Sequence, residues 1–167
     1  APPEPESVAR AGACILVVDD EPQIRATLRD ALAHYGLSVL EAVDGQQAVD
    51  KASQFLPDII LSDMMMPEKD GLQVCRELRD RTSTRNIPIV LLTARADEKT
   101  KLDCLEAGAS DFLPKPFSLT EVLVRLKNLV DSRLYQKEIF SQKQQLEAAL
   151  DQIKETESML VQNEKLA

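Results

Sequence analysis

The stretch LSDMMMPEKDG, residues 61–71, sets the problem. An apolar run, Ile59-Ile60-Leu61, gives way to a lone carboxylate, Asp63, and then to three methionines, a proline and a turn at Asp70-Gly71. A strand that ends this way pushes one charged side chain out of a buried sheet, which is costly unless the charge is to be used. The expectation is a buried strand whose last residue stands exposed for chemistry.

Similar runs recur outward from this one. CILVV (14–18), LSVLEA (37–42), DIILS (58–62), IPIVLLT (87–93) and SDFLP (110–114) are evenly spaced and mostly continuous in their apolar character. Continuous runs suit strands covered on both faces, as in a parallel sheet between helices. Helical patterns fill the intervals. PQIRATLRDALAHYG opens on Pro22, suited to the first helical position, and stops at Gly36. GQQAVDKASQF follows Asp44, LQVCRELRDR follows Asp70-Gly71, and DEKTKLDCLEAG runs from Asp97 to Gly108. The pattern predicts an α/β fold: a (βα)5, doubly wound, parallel five-stranded sheet with right-handed crossovers.

Two segments fall outside the repeat. Residues 1–13, rich in Pro, Glu and Ala, read as a flexible lead-in, leaving 14–130 as the domain. After Pro116 there is neither Pro nor Gly, and helix formers dominate to the end. At about 1.5 Å per residue, a helix over this segment would run roughly 75 Å. Its start, LTEVLVRLKNLV, has the broad apolar face of a helix docked on a sheet. Beyond it the apolar face narrows to Ile139, Leu146, Ile153 and Leu160, seven residues apart, beside a mixed column of Tyr135, Gln142, Ala149, Thr156 and Asn163. Residues 131–167 are thus expected to form a weak coiled-coil seam, favouring a parallel homodimer.

Composition narrows the function. A net charge of -8 argues against nucleic-acid contacts and anionic membranes, and no apolar run is long enough to span a bilayer. The start lacks the features of a signal peptide, and a first residue other than Met suggests a piece cut from a longer protein. The three cysteines, Cys14, Cys75 and Cys104, have no metal or redox spacing and read as buried small hydrophobes in a reducing, cytoplasmic setting. His34, the only histidine, reads as a partly exposed residue near a helix end.

In a doubly wound sheet, ligands bind where the carboxyl ends of the strands open. The first strand delivers Asp19, Asp20 and Glu21 there, the third Asp63, the fourth Thr93, and the fifth leads to Lys115-Pro116. An Asp at a strand end is often only a helix N-cap, and a lone Lys is usually a solvated charge. All of them at successive strand ends of one repeat is harder to attribute to chance. Clustered carboxylates call for a cation, and oxygen ligands without His or Cys suit Mg²⁺, which leaves room for a phosphate oxygen. Lys115 and Thr93 would face the same anion, and Asp63 is the candidate nucleophile of a phosphoryl transfer.

With these residues in hand, residues 14 to about 130 resemble the receiver domain of two-component response regulators, a flavodoxin-like fold. The resemblance rests on Asp19-Asp20 after CILVV, Asp63 in LSDMMMP, Thr93-Ala94, and Lys115-Pro116 preceded by Phe112. It implies that Asp63 is phosphorylated by a phosphohistidine or a small phosphodonor, from a histidine kinase or phosphotransfer protein. It implies that Asp20 and Asp63 bind Mg²⁺ directly, Asp19 through water, and Met65 through its backbone carbonyl. Lys115 would pair with the phosphoryl group and Ala94 would help bind the phosphate. Thr93 and Phe112 would turn inward together as the family's switch, and the Lys115-Pro116 bond would be cis. Met64 and Met66 would serve as apolar filler, while Met65 and Arg95 occupy positions that tune phosphate lifetime and suggest slow self-hydrolysis. Lys69 departs from the family, where another apolar residue is common.

Such a module is not an enzyme beyond its self-catalysed aspartyl phosphotransfer. From residue 118 on there are 7 basic and 8 acidic residues, without the basic region of a DNA-binding zipper. The end, LEAALDQIKETESMLVQNEKLA, resembles the coiled-coil lead-in of sensor histidine kinases, so the parent protein is expected to be one, with the last helix carrying the signal onward. Three other readings stand beside this one. A haloacid-dehalogenase-like phosphatase would want an Asp where Met65 stands. A flavin-binding module would want a phosphate-cradling loop after the first strand. A dimerising scaffold with an inactive receiver would not need the full residue set.

Overall fold

The computed structural model describes residues 12–166. Residues 1–11, most of the predicted lead-in, and Ala167 lie outside them. Five strands alternate with five helices: β1 Cys14–Val18, α1 Pro22–His34, β2 Ser38–Ala42, α2 Gly45–Phe55, β3 Ile59–Asp63, α3 Gly71–Asp80, β4 Ile89–Thr93, α4 Glu98–Ala107, β5 Asp111–Pro114 and α5 Leu119–Leu166. The strands form one sheet in the order β2-β1-β3-β4-β5, every pair parallel.

The continuous apolar runs are explained by two core layers. Ile15, Val17, Ile59, Leu61, Val90, Leu92 and Leu113 face Leu28 and Leu32 of α1 and Val122, Leu123, Leu126 and Val130 of α5. Leu16, Val18, Ile60, Ile89 and Leu91 face Ala48, Val49 and Ala52 of α2, Val74, Cys75 and Leu78 of α3, and Cys104 and Ala107 of α4. Each fully buried Leu or Ile contributes roughly 1.5–3 kcal/mol relative to exposure, so interior strands with no wet face need no polar alternation.

Helix ends follow the predicted chemistry. Asp44, Asp70 and Asp97 each accept a backbone N–H three residues on, and Asp70 with Gln73 completes a capping box. Gly108 closes α4 at φ 93°, which an L side chain rarely adopts. The expected Gly36 stop falls just beyond α1, at φ 78°. Strand ends differ from expectation by a residue or two, and β3 takes in Asp63 itself. Ala13, placed in the flexible lead-in by composition, is 2% exposed and accepts the Ser38 N–H through its carbonyl. It already belongs to the core because β1 needs a paired residue before it.

The chain divides into two compact units, one ending at Asp131 and one beginning at Ser132. In the second unit the helix presents Ile139, Leu146, Ile153 and Leu160 at 53%, 62%, 55% and 59% exposure. Among the described residues no helix is long and apolar enough to cross a membrane. The cysteines are free; Cys75 and Cys104 are buried, whereas Cys14 is only half-buried, so the expected burial fails at the strand that opens the sheet. Burial pushes the Cys75 thiol up to about 12, so it is a small hydrophobe at neutral pH.

Candidate functional site

Parallel strands present all their carboxyl ends on one rim, and register decides which end residues meet. Val18 pairs with Ser62, so Asp19 and Asp63, one step further out, are neighbours. Asp63 in turn pairs with Leu92, which puts Thr93 one step beyond, and Thr93 pairs with Pro114. The chain then passes to Lys115, whose N–H donates to the Thr93 carbonyl at 2.6 Å, and the Lys115-Pro116 bond is cis. Between β1 and β3 the strand order reverses, which is where open α/β sheets hold ligands.

Four of the predicted side chains converge there. Asp19, Asp20 and Asp63 each bring a carboxylate oxygen within 4.8 Å of the others. Lys115 Nζ stands 3.2 Å from Asp63 Oδ1, and the Met65 N–H donates to the same oxygen at 3.4 Å. Asp19 is 0% exposed; its Oδ1 accepts the Glu21 N–H at 2.9 Å, and its Oδ2 is buried with no hydrogen-bond partner. Its pKa rises from an ordinary 3.8 to about 6. Burial is the main cause; the Glu21 N–H opposes it, Asp63 adds to it, Lys115 opposes it and Asp20 adds a little. An orphaned carboxylate oxygen beside two more carboxylates fits a hard, oxygen-liganded divalent cation.

One expectation is overturned. Asp63 was expected to stand exposed at its strand end, but it is only 6% exposed. Register sinks it between β1 and β4, and Lys115 compensates the charge that burial would otherwise make costly. The exposed carboxylate of the set is Asp20.

The surrounding residues fall in three places. Met65 is 71% exposed, while Met64 and Met66 pack against the second core layer as filler. The Thr93 side chain is 2% exposed and its hydroxyl is engaged with Arg95, accepting the N–H and facing the carbonyl at 3.1 Å each. Ala94 and Arg95 join Met64, Met65 and Thr93 in lining a cleft of about 400 Å³ beside the carboxylates. Phe112 is not brought to the rim. It pairs with Leu91 deeper in the sheet, half-buried, with Lys101 Nζ 5.8 Å from its ring centroid. His34, exposed in the last turn of α1, meets Tyr35 edge-to-face at 5.5 Å.

Sequence reasoning missed the residues that hold the loop after Asp63. Lys69 Nζ reaches Glu77 at 2.6 Å and Gln46 at 3.0 Å, tying this loop to α3 and α2. A Cβ on Gly45 would lie 2.4 Å from the Lys69 carbonyl oxygen, and one on Gly71 would lie 2.7 Å from that of Asp63. Lys69 is visible in the sequence as a lone cation in the loop after Asp63, but its partners lie on two separate helices.

The chain also matches known proteins. The family model described as response regulator receiver domain matches residues 15–127. Response regulator MprA of Mycolicibacterium vanbaalenii is 46% identical over 116 residues, covering 70% of this chain and 49% of that protein. The MprA of Mycobacterium avium matches with the same identity over 50% of its length, so the chain spans about half the length of these curated relatives. Among solved structures, Vibrio cholerae chemotaxis protein CheY4 matches at TM-score 0.67 and 32% identity, covering 70% of this chain and 98% of that one. The receiver domain of sensor histidine kinase PA1611 from Pseudomonas aeruginosa matches at TM-score 0.67 and 36% identity, over 72% of this chain and 98% of that one. That structure is described with a magnesium ion coordinated in its active site cleft.

Proposed function

This chain belongs to the response regulator receiver family, the phosphoacceptor modules of two-component signalling, and from that premise we propose that Asp63 is its phosphoacceptor. The observation that carries the proposal is the Lys115–Asp63 contact of 3.2 Å inside the Asp19, Asp20, Asp63 cluster, at the point where strand order reverses. Asp19, Asp20 and Asp63, with the Met65 backbone carbonyl, would hold Mg²⁺, which supplies charge neutralisation for the incoming phosphoryl oxygens.

In the reaction, an Asp63 carboxylate oxygen forms a bond to phosphorus while the phosphorus–nitrogen bond of a phosphohistidine breaks. The imidazole leaves with its bonding pair and takes up a proton. Lys115 exchanges its contact with Asp63 for one to the phosphoryl group, and the Thr93 hydroxyl leaves Arg95 to donate to a phosphoryl oxygen, with Ala94 in the lining loop. Phe112 then moves with Thr93, and the surface of α4, β5 and α5 rearranges. Coupling of about 1–3 kcal/mol is ordinary for such a switch. Met65 offers no donor to orient water, which favours slow loss of the phosphoryl group.

The donor is a histidine kinase or phosphotransfer protein in the cytoplasm, and the free cysteines accord with a reducing compartment. Residues 131–167 form a parallel homodimer through the exposed seven-residue column and pass the signal to an output that includes a histidine kinase core.

The test is intact mass after incubation with acetyl phosphate and Mg²⁺. A gain of about 80 Da in the native chain, absent in Asp63→Ala, is expected. An equal gain in both would move the phosphoacceptor elsewhere.

A further inference from the structure

We infer that Arg25 is a positioning residue for the acidic cluster, fixing the peptide between Asp19 and Asp20 so that both carboxylates face one cation. The inference rests on the Mg²⁺ site proposed above.

The loop from β1 to α1 has little to hold it. Glu21 stands at the N-cap of α1 and makes no side-chain cap bond, and Pro22 has no N–H to offer. Three contacts hold Asp19 itself. The Asp19 N–H donates to the Ala42 carbonyl at 3.2 Å, extending the ladder to β2. The Asp19 carboxylate accepts the Glu21 N–H. The third contact comes from one turn into α1: Arg25 Nη1 donates to the Asp19 carbonyl oxygen at 2.7 Å. A carbonyl held in this way sets the plane of its peptide, and the next residue, Asp20, takes its direction from that plane. Asp20 is the exposed member of the cluster, so little else restrains it.

A guanidinium beside a cation site would ordinarily repel the cation. Here its charge is answered from the other side: Arg25 Nε lies 3.6 Å from Glu41 Oε1, and the Arg25 side chain is 15% exposed. Glu41 is shared with Arg29 at 3.4 Å and sits on β2, next to the strand that delivers Asp19. Arg29 is in turn 3.2 Å from Asp30 Oδ1, so the set of two guanidinium groups and two carboxylates is a neutral bracket without net charge near the cluster. This gives Arg25 two opposite effects. As a bare charge its removal would tighten Mg²⁺ binding; as a bracket its removal weakens it.

The experiment measures Mg²⁺ affinity of the full chain by calorimetric titration for the native protein, Arg25→Met, Arg25→Lys and Glu41→Gln, with melting in EDTA as a control on folding. Loss of an outer partner of a metal site weakens affinity roughly 10–100-fold, and Arg25→Met is expected at the lower end of that range with the same weakening at high salt. Lysine, with one donor group, recovers part of it. Glu41→Gln keeps the bond to Asp19 but uncovers the charge, so its smaller weakening is expected to fade as salt rises. Unchanged or tighter binding in Arg25→Met, with the native chain binding Mg²⁺ normally, overturns the positioning role and leaves the site intact. Failure of the native chain to bind Mg²⁺ at all overturns both.

Discussion

Asp19→Asn separates what the buried carboxylate does for the site from what it costs the fold. Ionised Asp19 is held without solvent, with one oxygen unpartnered, and its pKa stands at about 6 against an ordinary 3.8. A rise of about 2 units corresponds to about 3 kcal/mol of lost stability once the group is ionised. Below the unfolded value the carboxyl is neutral in both states and nothing is lost. The loss accrues as pH rises through the window from 3.8 to about 6, and is complete above it. Asparagine keeps an oxygen for the Glu21 N–H and removes the charge, though its amide must find an acceptor among the neighbouring carboxylates. The net gain expected near neutral pH without metal is about 2 kcal/mol, or roughly 8 °C in melting temperature for a domain of this size.

The assay is calorimetric melting of both proteins in EDTA from pH 4.5 to 7.5. The difference between them is the quantity to read, because other titrating groups cancel in it. It should be smallest at the acidic end and reach its full value above pH 6. Saturating Mg²⁺ should then raise the native protein far more than the variant, closing or reversing the gap. A variant that melts below the native protein in EDTA at pH 7.5, or a difference flat in pH, would refute the account of a charge stored for a cation.

Three further outcomes follow from particular contacts. Gly71→Ala would press a methyl against the Asp63 carbonyl at 2.7 Å and against Leu91 and Met64 at 3.0 Å, two of the three contacts being backbone; a loss of about 1–3 kcal/mol in denaturant titration, with slower phosphorylation, is expected. Arg79→Met removes a half-buried guanidinium that donates to the carbonyls of Gly108 at 2.9 Å, Arg85 at 3.0 Å and Ile87 at 2.7 Å. Stability should fall by about 2–3 kcal/mol while the folded fraction still takes up phosphate at the native rate. Leu146→Asp with Ile153→Asp should convert a dimer to monomer in sedimentation without altering phosphorylation, and an unchanged mass would remove the coiled-coil reading.

The fold was legible because its signals are local and repeated. CILVV, DIILS and IPIVLLT are apolar without alternation, which only a doubly covered sheet tolerates, and the three helices α2, α3 and α4 carry their own starts in Asp44, Asp70 and Asp97. The candidate site was legible for the same reason: Asp19, Asp63, Thr93 and Lys115 stand at the strand ends of four of the five units of one repeat. The exposure of Asp63 was misread because burial depends on neighbouring strands, and a strand end looks free in one dimension. The roles of Lys69 and Arg25 were out of reach because their partners, Gln46, Glu77, Glu41 and the Asp19 carbonyl, lie on other elements.

The division between the two levels is therefore physical. Periodicity and end-capping act within a few residues, so the alternation of strands and helices, the cover on both sheet faces and the residues that reach the rim could be read along the chain alone. Strand register and long side chains act across the chain. They alone decided that Asp19 lies beside Asp63, that one oxygen of Asp19 is left without a partner, and that Lys115 stands 3.2 Å from Asp63. A charge becomes a site only when its neighbours are placed, and those neighbours were set by the fold.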